Sequence, residues 1–209
     1  MEFLGFPFQG PRPKGCPKSR HGSPLPKLRR HFFVLGFLAL CLAAGGQGSI
    51  RAQSDSAKEY QIKAAFLFNF TQFVKWPDNS FPSPDAPFDI GILGDDPFGP
   101  ALEETIRGEE IENHRLTVVH AQRIEDLEGC QVIFVSRSEE SHVGEILSQL
   151  DSRPILTVSE VDSFARDGGD IDFYLANGRV RFEINPHSAQ RCGLKISSQL
   201  LTLGKIVDP

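Results

Sequence analysis

The run Cys130-Gln-Val-Ile-Phe-Val-Ser136 constrains this chain more than any other stretch. Four consecutive apolar side chains without alternation read as a strand buried on both faces, the kind found in parallel sheets that helices cover from both sides. Its surroundings repeat the theme. Phe88-Asp-Ile-Gly-Ile-Leu-Gly94 and Leu116-Thr-Val-Val-His120 precede it as strands, and Pro154-Ile-Leu-Thr-Val158 follows. Helical stretches lie between them, from Pro100 to about Arg107 and from Glu139 to Leu150. Pro100 suits a first helical turn. Ser138 caps the second helix, with Val143, Ile146, Leu147 and Leu150 on its inner face, and Val161 to Arg166 reads as a short helical turn. Strands alternating with helices predict one mainly parallel sheet.

The flanks complete the pattern. Asp55 or Ser56 is placed to cap a helix through Tyr60, Ala64, Leu67, Phe68, Thr71 and Val74 that stops at Trp76-Pro77. Phe66, Phe70 and Phe73 widen its apolar face, as in a helix buried on more than one side. Further on, Ile171-Asp-Phe-Tyr-Leu-Ala176 and Arg179-Val-Arg-Phe-Glu-Ile184 flank Asn177-Gly178, a dipeptide suited to a type I′ hairpin turn. Asn185-Pro186 starts a helix that Gly193 ends. Ser197 caps a last helix carrying Leu200, Leu201, Leu203, Ile206 and Val207. The expected fold is α/β: a single three-layer domain over residues 53–209, with a mainly parallel, Rossmann-like sheet, a C-terminal antiparallel hairpin and C-terminal helices.

Residues 1–52 have a different character, that of an N-terminal extension and signal peptide. Lys27, Arg29 and Arg30 form a basic region, an uncharged apolar run extends from Phe32 to Ala44, and small residues lead to a cleavage site after Ala52. The apolar run is short of the ~20 residues that span a bilayer. Cys41 follows Leu40, which is too large for a lipoprotein cleavage site. The segment therefore predicts export. The segment holds eight of the chain's 22 Lys and Arg and one of its 27 Asp and Glu, which leaves 14 basic against 26 acidic residues beyond it. An acidic body without a basic stripe repels a phosphate backbone, so nucleic acid is not an expected partner. Removing the leader also removes Cys16 and Cys41. Cys130 and Cys192 remain, either as a disulfide or as two buried free thiols.

Catalysis finds little support. Ligands of open α/β sheets gather at the carboxyl ends of the strands. There, Gly94-Asp95-Asp96-Pro97-Phe98-Gly99 is neither a P-loop nor a Gly-x-Gly-x-x-Gly fingerprint. Its two acids match a receiver domain's magnesium site only in part, because the third strand ends in Ser136-Arg137 with no accepting aspartate. Asp95 or Asp96 is better explained as a cap for the next helix. His114, His120, His142 and His187 do not show metal-ligand spacing. Serine, histidine and aspartate are all present, yet no Gly-x-Ser-x-Gly elbow marks a nucleophile. Asp172 and Glu183 on the hairpin read as an exposed strand face rather than an acid pair. No cofactor, metal or catalytic residue is expected.

Four stretches carry a resemblance to a known family. They are Tyr60-Gln-Ile-Lys-Ala-Ala-Phe-Leu-Phe-Asn-Phe-Thr-Gln-Phe-Val-Lys-Trp-Pro77; Ile90-Gly-Ile-Leu-Gly-Asp-Asp-Pro-Phe-Gly99; Pro154 to Val158 with Gly168-Gly169-Asp-Ile-Asp-Phe173; and Arg181-Phe-Glu-Ile-Asn185 running into Ala189 and Gly193-Leu-Lys-Ile-Ser-Ser-Gln-Leu-Leu201. In order and spacing they resemble the YfiR family of periplasmic proteins. The resemblance implies a compact α/β repressor that tends to dimerise. Its partner would be the periplasmic sensor domain of a membrane-anchored diguanylate cyclase or related sensor protein, so that repression lowers cyclic di-GMP and disfavours biofilm. It also implies partner contact at Glu183 and Ala189. Members can carry disulfides. Cys130 matches a family cysteine, but the partner region near Gly91 has none, nor does the loop from Ala165 to Asp172.

The same surface follows from the residues. With Val180, Phe182 and Ile184 pointing inward, Glu183 would project outward beside Arg181. The helix start at Asn185 would offer free N–H groups next to it. Partner contact is thus expected at Arg181, Glu183 and Asn185, with Ala189 added by the resemblance; on the residues alone the alternative is an ordinary charged sheet face. The competing expectation is a small-ligand-binding protein that uses the crevice beyond Gly94 and Ser136, lined by Phe98.

Overall fold

The computed structural model describes residues 47–208; the basic region, the apolar run and the leader cysteines lie outside them. Helix α1 (Gln47–Phe73) opens the described chain. It starts before the expected caps at Asp55 and Ser56, because no proline interrupts the stretch, so the expected cut after Ala52 falls within the helix. Its buried stripe runs through Lys63, Leu67 and Phe70, at the i, i+4, i+7 spacing of one helix face. Phe70 is fully covered, while Phe68 is only half-buried. Burying a phenylalanine side chain of this kind stabilises by about 2–3 kcal/mol.

The sheet is built from β2 (Phe88–Leu93), β4 (His114–Ala121), β5 (Val132–Val135), β6 (Leu156–Ser159), β7 (Ile171–Ala176) and β8 (Arg179–Ile184). Two-residue strands β3 (Glu110–Ile111) and β10 (Lys205–Ile206) close its edges, giving the order β10-β8-β7-β6-β5-β2-β4-β3. Pairing is parallel throughout except at β3–β4 and at the β7–β8 hairpin. The hairpin register sets Phe173 against Phe182 and Asp172 against Glu183. At its tip Asn177 and Gly178 have φ of 53° and 69°, the paired positive angles of a type I′ turn.

Helices cover both sides. On the front face α1 and α2 (Pro100–Ile106) pack on Ile90, Ile92, Phe134, Val158 and Phe173, in one continuous core. On the back face α3 (Val143–Leu150) and the 3-10 turn Ile124–Leu127 cover Ile133, Val135 and Leu93. The expected helix from Glu139 begins instead as a 3-10 turn, Arg137–His142. After β8 the chain forms α4 (Pro186–Arg191), β9 (Lys195–Ile196) and α5 (Ser198–Leu203). β9 pairs with β1 (Val74–Lys75), just past α1.

The expected last helix is shorter than its apolar residues imply. It ends at Gly204, and Ile206 lies in β10, parallel to β8. A Cβ on Gly204 would come within 2.6 Å of the Phe182 ring, so only glycine lets the chain turn this tightly onto β8. The two remaining cysteines are both free and pack in different cores, Cys130 on the back face and Cys192 on the front. Among the described residues no helix is long and apolar enough to cross a membrane.

Candidate docking face and the carboxyl edge of the sheet

The chain runs from β2 to β4 on one side and returns to β5 on the other, so the topological switch lies between β2 and β5. Ligands of such sheets bind at the carboxyl end of that point, where the crevice beyond Gly94 and Ser136 was expected. It is filled. Ser136 donates its hydroxyl to the Asp95 carbonyl at 2.6 Å, and Ser138 Oγ accepts the Asp95 N–H at 3.0 Å. Phe98 is buried edge-on against Phe134 and Tyr60, with centroids 4.8 and 5.6 Å apart. Asp96 accepts the Phe98 N–H at 2.8 Å and so shapes the loop; α2 itself begins at Gly99 without a side-chain cap.

The open space lies further along the same edge. A cavity of about 370 Å³ is lined by Tyr60, Lys63, Arg137, Glu160, Asp162 and Tyr174. Lys63 and Glu160 form a buried ion pair, their side chains 4% and 7% exposed. Lys63 also reaches Glu59 at 2.6 Å, and Tyr60 donates its hydroxyl to Glu160 at 3.0 Å. Burial, then the Glu160 charge and hydrogen bond, push the Tyr60 phenol well above its ordinary range. Arg137 braces the loop by donating to the Glu160 carbonyl at 2.6 Å. The sequence did carry a signal for this cluster: Lys63 stands on the buried stripe of α1, where an unpaired ammonium would be very costly.

On the back face no residue of β7 or β8 belongs to a helix-covered core among the described residues. Tyr174 and Arg181 stand opposite each other there, half-buried and exposed. Next to them Glu183 is held by Arg166 at 3.1 Å and Lys205 at 2.5 Å. Burial alone would raise its carboxyl, but Lys205 and Arg166 outweigh that and hold it below its ordinary value. Of the expected contact residues, Arg181 is exposed and Glu183 is 9% exposed, covered by its two cations rather than projecting free. Asn185 and Ala189 are fully buried. Asn185 accepts the Ser188 N–H at 3.0 Å and donates to the Ala165 carbonyl at 2.8 Å; Ala189 packs in the front core. These two hold the helix and loop behind the face and are not free for contact.

Two carboxyls near this face are tuned by burial. Asp170 binds Thr157 N–H and hydroxyl through Oδ2, both at 2.8 Å, and burial pushes it up to about 6. Burial, then the Glu183 charge opposite and Asp162, raise Asp172 to about 7. The folded protein therefore holds a proton on Asp172 that the unfolded chain gives up at a lower pH. Stability is favoured in acid and lost as pH rises towards 7. Asp172→Asn is expected to raise stability at pH 8 by about 2 kcal/mol and to change little at pH 4. Urea unfolding at both pH values checks this, and an equal effect at the two would refute it.

This architecture is that of a doubly wound α/β domain with a closed switch crevice. The chain belongs to the YfiR/HmsC-like family, whose model matches residues 60–205. Members are periplasmic regulators of diguanylate cyclase, a regulatory family rather than a catalytic one. Among solved structures, the chain is similar to an ABC domain in complex with L-Trp from Streptococcus pneumoniae, at 13% identity and TM-score 0.47, covering 71% of this chain and 60% of that one. It is also similar to a conserved domain protein from Vibrio cholerae O1 biovar El Tor, at 11% identity and TM-score 0.42, with coverage of 57% and 54%.

Proposed function

We propose that this chain is exported through a cleaved signal peptide, ending within residues 1–52, and acts from residue 53 onward as a single-domain repressor. It docks onto the periplasmic sensor domain of an inner-membrane diguanylate cyclase, or a related sensor, and lowers cyclic di-GMP signalling. Family membership over residues 60–205 is the observation that carries the reading. The helix-free back face of β7–β8–β10 offers the contact surface: Arg181, Tyr174, Arg166 and Lys205 at the rim, with Glu183 organising the cations. Mixed charge with few apolar groups suits a contact that must release. The protein acts as a homodimer in this reading, which the exposed apolar side chains Ile62 and Leu175, lining one groove, support.

Arg181→Glu tests the surface cleanly, because Arg181 is exposed and makes no ion pair among the described residues. Reversing a contact charge is expected to weaken binding to the partner's sensor domain at least ten-fold with an unchanged melting temperature. Calorimetric titration against the periplasmic sensor domain of an inner-membrane diguanylate cyclase from the same cell reads this. Unaltered affinity would remove Arg181 from the contact, and absence of binding by the wild-type chain would sink the reading. Glu183→Lys is a less clean probe, since it would bring a third cation between Arg166 and Lys205. It is expected to cost about 2 kcal/mol of stability as well as binding.

A further inference from the structure

Away from both sites, a separate cavity of about 370 Å³ opens at the amino-terminal edge of the sheet, where β2 and β4 begin. Trp76, Phe81 and His114 line it, with Glu110, Glu112 and Lys75 also contributing. The aromatic wall is fixed in place. Trp76 donates its indole N–H to the Gln131 carbonyl at 3.1 Å and stands edge-on to buried Phe88, centroids 4.9 Å apart. Phe81 lies flat on the His114 ring at 3.8 Å. His114 Nδ1 lies 2.6 Å from the Ala86 carbonyl oxygen. A carbonyl only accepts, so Nδ1 carries the proton, and a neutral ring leaves Nε2 as an acceptor.

The acids come from the tight β3–β4 turn, where Glu112 and Asn113 adopt φ of 51° and 73°. Glu110 and Glu112 are exposed and form no ion pair among the described residues, although Arg115 stands opposite Glu110 in the ladder. Lys75 offsets one of the two acids, so the lining keeps a single net negative charge. Aromatic faces attract a cation through their quadrupoles, and an acidic body raises the local concentration of cations. A metal ion fits poorly, because no group of three or more His, Cys, Asp or Glu side chains is gathered to hold one among the described residues. We propose that this cavity binds a small organic monocation of the alkylammonium type.

Trp76 is the chain's single tryptophan, so its fluorescence reports on the cavity directly. The full chain is titrated with choline and, separately, with its neutral isostere 3,3-dimethyl-1-butanol. Choline is expected to shift the emission saturably, and the isostere to bind at least ten-fold more weakly. A Glu110→Gln/Glu112→Gln double variant should weaken choline about ten-fold at unchanged melting temperature. Phe81→Leu should weaken it several-fold while retaining apolar volume. The proposal is overturned if choline gives no saturable change at millimolar concentration. Equal binding of the isostere, or unaltered choline affinity in the double glutamine variant, would overturn it too. None of these outcomes depends on the docking reading.

Discussion

Lys63→Met is expected to lower the unfolding free energy by about 3–5 kcal/mol, the usual cost of breaking a buried ion pair from one side. The substitution keeps the side chain's length and apolar stem on α1, so the loss is electrostatic rather than a cavity. What remains is Glu160, 6% exposed, with only the Tyr60 hydroxyl to satisfy its carboxylate among the described residues. Glu59 is the less affected partner, because its side chain is 24% exposed and water can replace the ammonium. Removing both members distinguishes this account from a general packing defect. A Lys63→Met/Glu160→Gln double variant leaves no buried charge unpaired, only the part-exposed Glu59, and should recover most of the loss, a strong coupling in a double-mutant cycle. Urea midpoints of the four proteins measure it. Additive losses would show that Lys63 and Glu160 do not stabilise each other as a pair.

The same residue shows where reading the sequence stops. Strands long enough to display their pattern were legible: β5 is a continuous apolar run, β2 is apolar apart from Asp89, β6 alternates apolar with hydroxyl side chains, and the Asn177-Gly178 turn announced the hairpin. The cap at Asn185 was legible too, since its chemistry is local. The two-residue strands β1, β3, β9 and β10 were not, because two residues have no periodicity. Ile206 and Val207 therefore counted as helix, although Gly204 sends that segment into the sheet.

The expected contact surface met a related limit. Alternation along β8 correctly separates Val180, Phe182 and Ile184 from Arg181 and Glu183, but a period of two assigns faces and not cover. The groups that cover Glu183 come from Arg166 and Lys205, in segments that only the tertiary fold brings beside the strand. Lys63 and Glu160 likewise meet across 97 residues. A lone lysine on a helical stripe could have been flagged as needing a partner. Its identity was beyond reach.

Gly91→Cys is expected to form a disulfide with Cys130 under oxidising conditions and to stabilise the protein by about 2–4 kcal/mol. The geometry is nearly in place. A Cβ built on Gly91 would lie 3.1 Å from Cys130 Sγ, close to the roughly 3 Å that separates these atoms across a disulfide with an S–S bond of about 2.05 Å. Closing a loop of about 40 residues removes unfolded-state entropy equivalent to about 4 kcal/mol. Two Leu127 methyl carbons, at 3.0 and 3.2 Å from the new Cβ, must give way by a few tenths of an ångström, which reduces the gain. Burial pushes the Cys130 thiol up to about 12, so the bond should form during folding, by catalysed exchange, rather than in the finished protein. Unfolding with and without reductant measures the gain, and a thiol assay reports the bond. Cys192, in the other core, should remain the one titratable thiol beyond the leader in the denatured, oxidised variant. If two further thiols persist, or if the oxidised variant unfolds more readily than the reduced one, the strands do not sit as close as Gly91 and Cys130 indicate.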